Sequence, residues 1–253
     1  MQESARALPV ADEQTYAPLV AVDGGQAMLD PAVATVRHID RRRARTLRRL
    51  VAQASKSALD VVIAALALLV TLPVILLLAL LIRLESPGGA LYCQTRVGRR
   101  GRHFRCFKLR TMFHDADQRL HTLLRHDAAA HDEFATSRKL KTDPRVTRLG
   151  RFLRATSLDE LPQLWNVLRG DMSIVGPRPL VPDELDHYGD SIHMVLQVKP
   201  GLTGIWQVSG RNDLPYPVRV ALDADYAMHR TMWSDLRIIA RTIPVLLFRK
   251  GAY

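Results

Sequence analysis

The sequence predicts an α+β chain, mainly helical, in which a re-entrant membrane helix hairpin precedes a small domain with interfacial amphipathic helices. Three observations carry this. Val61–Ile82 is an uncharged run made almost wholly of Val, Ile, Leu and Ala. Basic residues crowd both of its flanks, and short strand-like and helix-like segments alternate after it.

The chain divides into residues 1–36, 37–84 and 85–253. The first part is rich in Ala, Pro, Asp, Gln and Gly without helical or strand periodicity, and reads as a mobile tail. Met1–Leu29 lacks a basic start followed by an apolar run, so no signal peptide is expected. Between Arg37 and Lys56, basic side chains face a single acid, Asp40.

As one straight helix, Val61–Ile82 would extend roughly 33 Å, against a hydrocarbon core of ~30 Å. A buried helix of a soluble protein is the competing reading. Pro73 sits at mid-run, where it removes a backbone hydrogen bond and kinks a helix. Each half then reaches only about 15 Å. Residues 83–110 are again strongly basic, with Glu85 the one acid. Cationic flanks stay on the cytoplasmic side. A spanning helix satisfies that rule at one end; a helix broken at Pro73 that returns to its own leaflet satisfies it at both. The re-entrant form is therefore expected, with a simple span as the alternative.

With 36 Lys and Arg against 25 Asp and Glu, the net charge of +11 implies a polyanionic partner: nucleic acid, an acidic membrane surface or phosphorylated substrates. A hydrophobic content of 47% excludes global disorder. Cys93 and Cys106 form no CxxC pattern, and the nine histidines form no zinc-binding arrangement. Two reduced thiols in a cytosolic compartment are favoured over a disulfide.

Ser86-Pro87-Gly88-Gly89 reads as a turn. Leu91–Tyr92 and Phe104–Leu109 read as strands around the basic loop Gly98–Gly101. Residues 112–135 have helical spacing, with His114, His121, His126 and His131 on a solvated face rather than at a metal site. Near the C-terminus, Ser234-Asp235 marks a helix start, followed by apolar residues interleaved with Arg237, Arg241, Arg249 and Lys250. Such a helix lies in a membrane interface or packs on the protein's own core.

Chemistry concentrates in Arg145–Pro179. Arg145, Arg148, Arg151 and Arg154 recur every third residue, a drifting cationic stripe on a helix. Ser157-Leu158-Asp159-Glu160 follows. It reads either as a capping box opening a helix, Ser157 and Glu160 exchanging bonds, or as a paired-carboxylate site. In the second reading the helix dipole keeps both acids ionised; one attacks phosphorus while its neighbour holds a divalent cation. Gly176-Pro177-Arg178-Pro179 fixes the backbone around one arginine, which suits phosphate contact or a plain rigid turn. The glycines of Lys199–Asn212 allow close ligand approach but match neither a P-loop nor a dinucleotide fingerprint.

Together these segments resemble a known family. Lys56 and Asp60, Phe107–Met112 (FKLRTM), Asp143–Pro179 (DPRVTRLGRFLRATSLDELPQLWNVLRGDMSIVGPRP), Val198–Asn212 (VKPGLTGIWQVSGRN) and Leu222–Tyr226 (LDADY) are similar to the bacterial sugar transferases, the monotopic phosphoglycosyl transferases, in the family's order from about Lys56 to Tyr253. The short form resembles undecaprenyl-phosphate galactose or glucose phosphotransferases of exopolysaccharide synthesis. The resemblance implies a cytoplasmic catalytic domain at the bacterial inner membrane. There Asp159 takes a sugar phosphate from a UDP-sugar, releases UMP and passes it to undecaprenyl phosphate. It implies Glu160 as the Mg2+ ligand, Lys108, Arg154, Arg178 and Arg211 as phosphate contacts, Asp223 as an acidic site residue, and Pro73 as the membrane helix break. Membrane lipids are implied partners and nucleic acid is not; self-association is left open. A charge-driven binding module or a non-catalytic scaffold would leave Asp159-Glu160, the GPRP turn and the glycine loop without a role.

Overall fold

The computed structural model describes residues 19–20, 28–29, 31–137, 140 and 142–248. Most of the expected tail 1–36, and Arg249 and Lys250, lie outside the described residues. The chain forms two compact units, Met1–Ser55 and Lys56–Tyr253. In the first, β1 (Leu19–Val20) pairs antiparallel with β2 (Met28–Leu29).

Helix α1 (Pro31–Glu85) carries the apolar run and is helical on both sides of Pro73. Leu66, Leu69, Val70, Leu76 and Leu77 are all more than half exposed. So wide an apolar surface calls for an apolar surrounding. The same helix buries two spots. Before Pro73, Ala64 packs with Cys106, Leu164 and Val167. After it, Leu78 and Ile82 pack with Ala90, Leu109 and Leu153. At its end the Arg110 guanidinium donates to the carbonyls of Ser86 (2.5 Å) and Pro87 (2.6 Å). This satisfies acceptors that a closing helix and turn leave open.

Strands β3 (Leu91–Val97) and β4 (His103–Leu109) form an antiparallel hairpin from Leu91↔Leu109 to Val97↔His103. The first strand is thus longer than the two residues its hydrophobicity marks, because Gln94 and Arg96 continue the pleat. Alternation puts Arg96, Cys106 and Lys108 on one face. Helices α2 (Ala116–His126) and α3 (Ala128–Ser137) occupy the segment with helical spacing.

Helix α4 (Arg148–Thr156) starts at Thr147, whose Oγ1 accepts from the Gly150 amide at 2.8 Å. A Cβ at Gly150 would collide with the Thr111 backbone, so glycine lets α4 lie against the chain leaving β4. After α5 (Gln163–Leu168), β5 (Ser173–Val175) leads through α6 (Ile192–Val195) to β6 (Gly201–Thr203), and the two strands pair in parallel. Helices α7 (Ile205–Ser209), α8 (Tyr216–His229) and α9 (Met232–Phe248) complete the unit.

The last helix begins earlier than its sequence signal. The Ser234 amide donates to Thr231 Oγ1 (3.1 Å), and the Thr231 amide donates to Ser234 Oγ (2.8 Å), a reciprocal cap three residues wide. Asp235 is not part of the cap. It is buried and accepts from Lys56 Nζ at 2.6 Å and the Tyr226 hydroxyl at 2.8 Å. Trp233 on the same helix is 79% exposed, with Leu236 and Ile243 also exposed.

Candidate active site

Asp159 and Glu160 stand on a single 3-10 turn, Leu158–Glu160, between α4 and α5. The capping box expected there does not form. Ser157 is left-handed (φ 59°, ψ 17°); it ends α4 and leads into the 3-10 turn without a side-chain cap. Its hydroxyl accepts from the Arg211 guanidinium at 3.2 Å. A non-glycine residue in this conformation carries strain of about 1–3 kcal/mol. It turns the chain sharply enough to present two consecutive carboxylates. The cationic stripe also breaks up. Arg145 precedes α4 and pairs with Asp143 at 2.8 Å, while Arg154 Nε donates to Thr111 Oγ1 at 2.9 Å.

Strand β4 supplies the facing cation. Lys108 Nζ lies 2.6 Å from Glu160 Oε1 and 3.9 Å from Asp159 Oδ2. Asn166, wholly buried on α5, fixes this distance. Its Oδ1 accepts from the Phe107 amide (3.1 Å) and its Nδ2 donates to the Arg105 carbonyl (2.7 Å). The helix that follows the acidic pair is thereby bolted to the strand that carries Lys108.

The Gly176–Pro179 turn delivers Arg178. The Pro177 carbonyl accepts from the Gly201 amide (2.7 Å), and the Gly176 amide donates to the Thr203 carbonyl (2.9 Å). A Cβ on Gly176 or Gly201 would strike the other's backbone, so both positions require glycine. Arg96 donates to the Pro179 carbonyl at 2.9 Å and approaches Glu184 at 3.7 Å. Lys108, Glu160, Arg178 and Arg96 line one small cavity with Cys106, Gln163 and Gln207.

The electrostatics separate the two acids. Burial, aided by Glu160, pushes the Asp159 carboxyl up to about 6 against the pull of Lys108 and Arg154. Burial also raises Glu160, but Lys108 and Arg178 outweigh it and hold that carboxyl below the usual range. The helix dipole alone therefore does not set both charges, since 3-10 geometry and burial intervene. Burial lowers the Arg154 and Arg96 guanidinium values and raises the Cys106 thiol.

Asp223 sits behind the turn rather than in the cavity. It is 1% exposed and accepts from the Tyr188 hydroxyl at 2.9 Å. Burial pushes it up to about 7, opposed by Tyr188, by the Trp206 indole and by the Arg178 main chain. The Trp206 N–H makes no full hydrogen bond despite that pull. Arg96, Gln163, Gln207 and Asn166 were not singled out by sequence. The alternation of a longer β3 would have marked Arg96; the other three have no distinctive local pattern.

The two neighbouring carboxylates suit magnesium, which takes one or two protein carboxylates and completes its shell with water and phosphate oxygens. Among the described residues no cluster of three or more His, Cys, Asp or Glu side chains could hold a metal alone. Such a pair would hold an ion only together with oxygens of a phosphorylated ligand.

The family described as bacterial sugar transferase matches residues 51–249. The exopolysaccharide production protein ExoY of Sinorhizobium fredii is 46% identical over 199 residues, covering 79% of this chain and 88% of that protein. The undecaprenyl-phosphate galactose phosphotransferase of Salmonella typhimurium is 48% identical over 199 residues, 78% of this chain and 41% of that one. The UDP-glucose:undecaprenyl-phosphate glucose-1-phosphate transferase of Caulobacter vibrioides is 44% identical over 215 residues, 82% of this chain and 75% of that one. The chain thus spans less than half the length of the Salmonella relative.

Proposed function

Since the chain belongs to the bacterial sugar transferase family, we propose that it moves a hexose 1-phosphate, galactose or glucose, from a UDP-sugar to undecaprenyl phosphate, starting exopolysaccharide or O-antigen-type synthesis. The observation that carries this reading is that Glu160, Lys108 and Arg178 line one cavity while Lys108 Nζ also stands 3.9 Å from Asp159 Oδ2. Relatives named for the transfer of galactose or glucose phosphate to undecaprenyl phosphate support it.

An Asp159 carboxylate oxygen attacks the β-phosphorus of the UDP-sugar and breaks its bond to the bridging oxygen, which leaves with UMP. A phosphate oxygen of undecaprenyl phosphate then attacks the same phosphorus. The acyl–phosphate bond breaks, the carboxylate returns, and undecaprenyl-diphosphate-sugar forms. An Asp159 value near 6 leaves the nucleophile ionised at neutral pH without the low basicity of an ordinary carboxylate. Lys108 and Arg178 orient phosphate oxygens and offset charge as it shifts. Arg211 and Arg154 hold the turn, through Ser157 and Thr111, and lend positive potential; Asp223 positions the Arg178 segment from behind. Glu160, with Asp159 beside it, would hold Mg2+ against the substrate phosphates, and the ion would supply neutralisation of their charge.

The membrane element, residues 37–84, is read as re-entrant, with 85–253 as the cytoplasmic catalytic domain at the bacterial inner membrane. Packing of Ala64 and of Leu78 and Ile82, on opposite sides of Pro73, onto one domain supports this, as do the exposed apolar side chains between them. Exposed Trp233, Leu236 and Ile243 support an interfacial α9. The soluble nucleotide-sugar and the lipid phosphate then meet Asp159 at one surface. Detergent-solubilised protein supplied with Mg2+, undecaprenyl phosphate and single UDP-sugars is expected to release UMP with UDP-galactose or UDP-glucose. No UMP from any UDP-sugar would refute the reading.

A further inference from the structure

The cavity between β4, α5, α7 and the Arg178 turn is lined by four charged side chains, Arg96, Lys108, Glu160 and Arg178, and by two neutral amides, Gln163 and Gln207. Phosphate recognition uses the cations and can use amide N–H groups; it gives the amide oxygens no role. Gln207 Oε1 is fully buried and has no hydrogen-bond partner. A buried acceptor left unpaired is costly, so its partner is to be sought in what enters the cavity. Gln163 is 2% exposed and lines the same space.

The room available is about 10 Å³, roughly what one water needs. Beside groups already held by the cations, that room suits a hydroxyl. The polarity agrees, because a hydroxyl is at once donor and acceptor. Its hydrogen would go to Gln207 Oε1, and its oxygen would accept from a neighbouring cation, Lys108 or Arg96. A phosphate oxygen offers no hydrogen to Gln207, and a methyl group satisfies neither side.

Resting on the transferase reading above, we propose that this cavity is a hydroxyl subsite of the nucleotide-hexose, with Gln207 as the residue that senses the hydroxyl. Before substrate arrives, one water fills it; the sugar hydroxyl displaces that water and reproduces its bonds. Loss of that hydroxyl strands Gln207 again, which is how the site discriminates. Hexose and ribose both carry hydroxyls, and the two sources separate experimentally.

The test measures kcat/KM for UMP release with the parent UDP-hexose, its monodeoxy-hexose analogues and the 2′- and 3′-deoxyuridine analogues, in the full-length protein and in Gln207→Leu. One hydroxyl deletion is expected to cost the unmodified protein roughly tenfold to a hundredfold and to cost Gln207→Leu less than about threefold. A hexose position identifies a sugar subsite; a ribose position identifies a nucleoside subsite. If no deletion costs the unmodified protein more than about threefold, the subsite is wrong, whether or not Gln207→Leu folds. It is equally wrong if Gln207→Leu folds and loses as much as the unmodified protein at the sensitive position, since the cavity would then hold structural water only. Failure of the parent UDP-hexose itself to yield UMP would refute the transferase reading instead.

Discussion

Lys108 Nζ stands 2.6 Å from Glu160 Oε1 and 3.9 Å from Asp159 Oδ2, so one cation on β4 addresses both members of the acidic pair. It pulls Asp159 down against burial and against Glu160, and it helps keep Glu160 ionised. Lys108→Met removes that pull. The acid limb of the pH profile of UMP release, expected near 6 in the unmodified protein, should move to higher pH. At pH 7 kcat/KM should fall at least about tenfold. A lowered rate with an unmoved acid limb would show that Lys108 does not set the Asp159 charge.

Asp223 makes a different pH prediction. Burial raises its carboxyl from 3.8 to about 7, so the folded protein binds that proton more tightly than the unfolded chain. The stability it contributes is complete below about pH 4, falls as pH rises towards 7, and is level above. Thermal unfolding of detergent-solubilised protein should show this decline, and Asp223→Asn should flatten it between pH 4 and 7. An unchanged slope in the variant would assign the decline to other groups.

Asn166 bridges α5 to β4 through two main-chain bonds. Asn166→Ala removes the side-chain partner of the Phe107 amide and the Arg105 carbonyl, two part-buried bonds, at a cost of about 1–3 kcal/mol. Tm should fall by several degrees, and kcat/KM should fall even well below the new Tm, because Lys108 loses its fixed distance to Glu160. Loss of stability with full activity would separate Asn166 from the site.

Topology is testable at Ala54 and Pro87, both exposed and flanking the apolar run. Single cysteines there, with the native Cys93 and Cys106 replaced, should react with a membrane-impermeant maleimide from the same side of inverted vesicles. Labelling from opposite sides would make α1 a span.

Much of the architecture is legible in composition and period. The apolar run, the hairpin around Gly98–Gly101 and the helical segment after Met112 follow from hydrophobicity and spacing alone. The acidic pair and the GPRP turn stand out because their residue combinations are uncommon. What escaped depends on long-range packing. The Ser-x-x-Glu pattern at Ser157 fits a helix cap locally, yet the contact between Ser157 and Arg211 belongs to a left-handed turn. Asp223 stands out as an acid in the sequence, but its contacts with Tyr188 and the Arg178 segment are set by long-range packing. Arg96 hides in a strand whose polar half carries no hydrophobic alternation.

In the proposed mechanism Asp159 becomes covalently charged with hexose phosphate. Incubating the protein with UDP-hexose and Mg2+ without lipid acceptor, then sequencing the modified peptide by mass spectrometry, tests it directly. The expected outcome is a hexose-phosphate adduct on Asp159, one equivalent of UMP, discharge on adding undecaprenyl phosphate, and no adduct in Asp159→Asn. Product formation by Asp159→Asn at an undiminished rate, or an adduct on another residue, would contradict it.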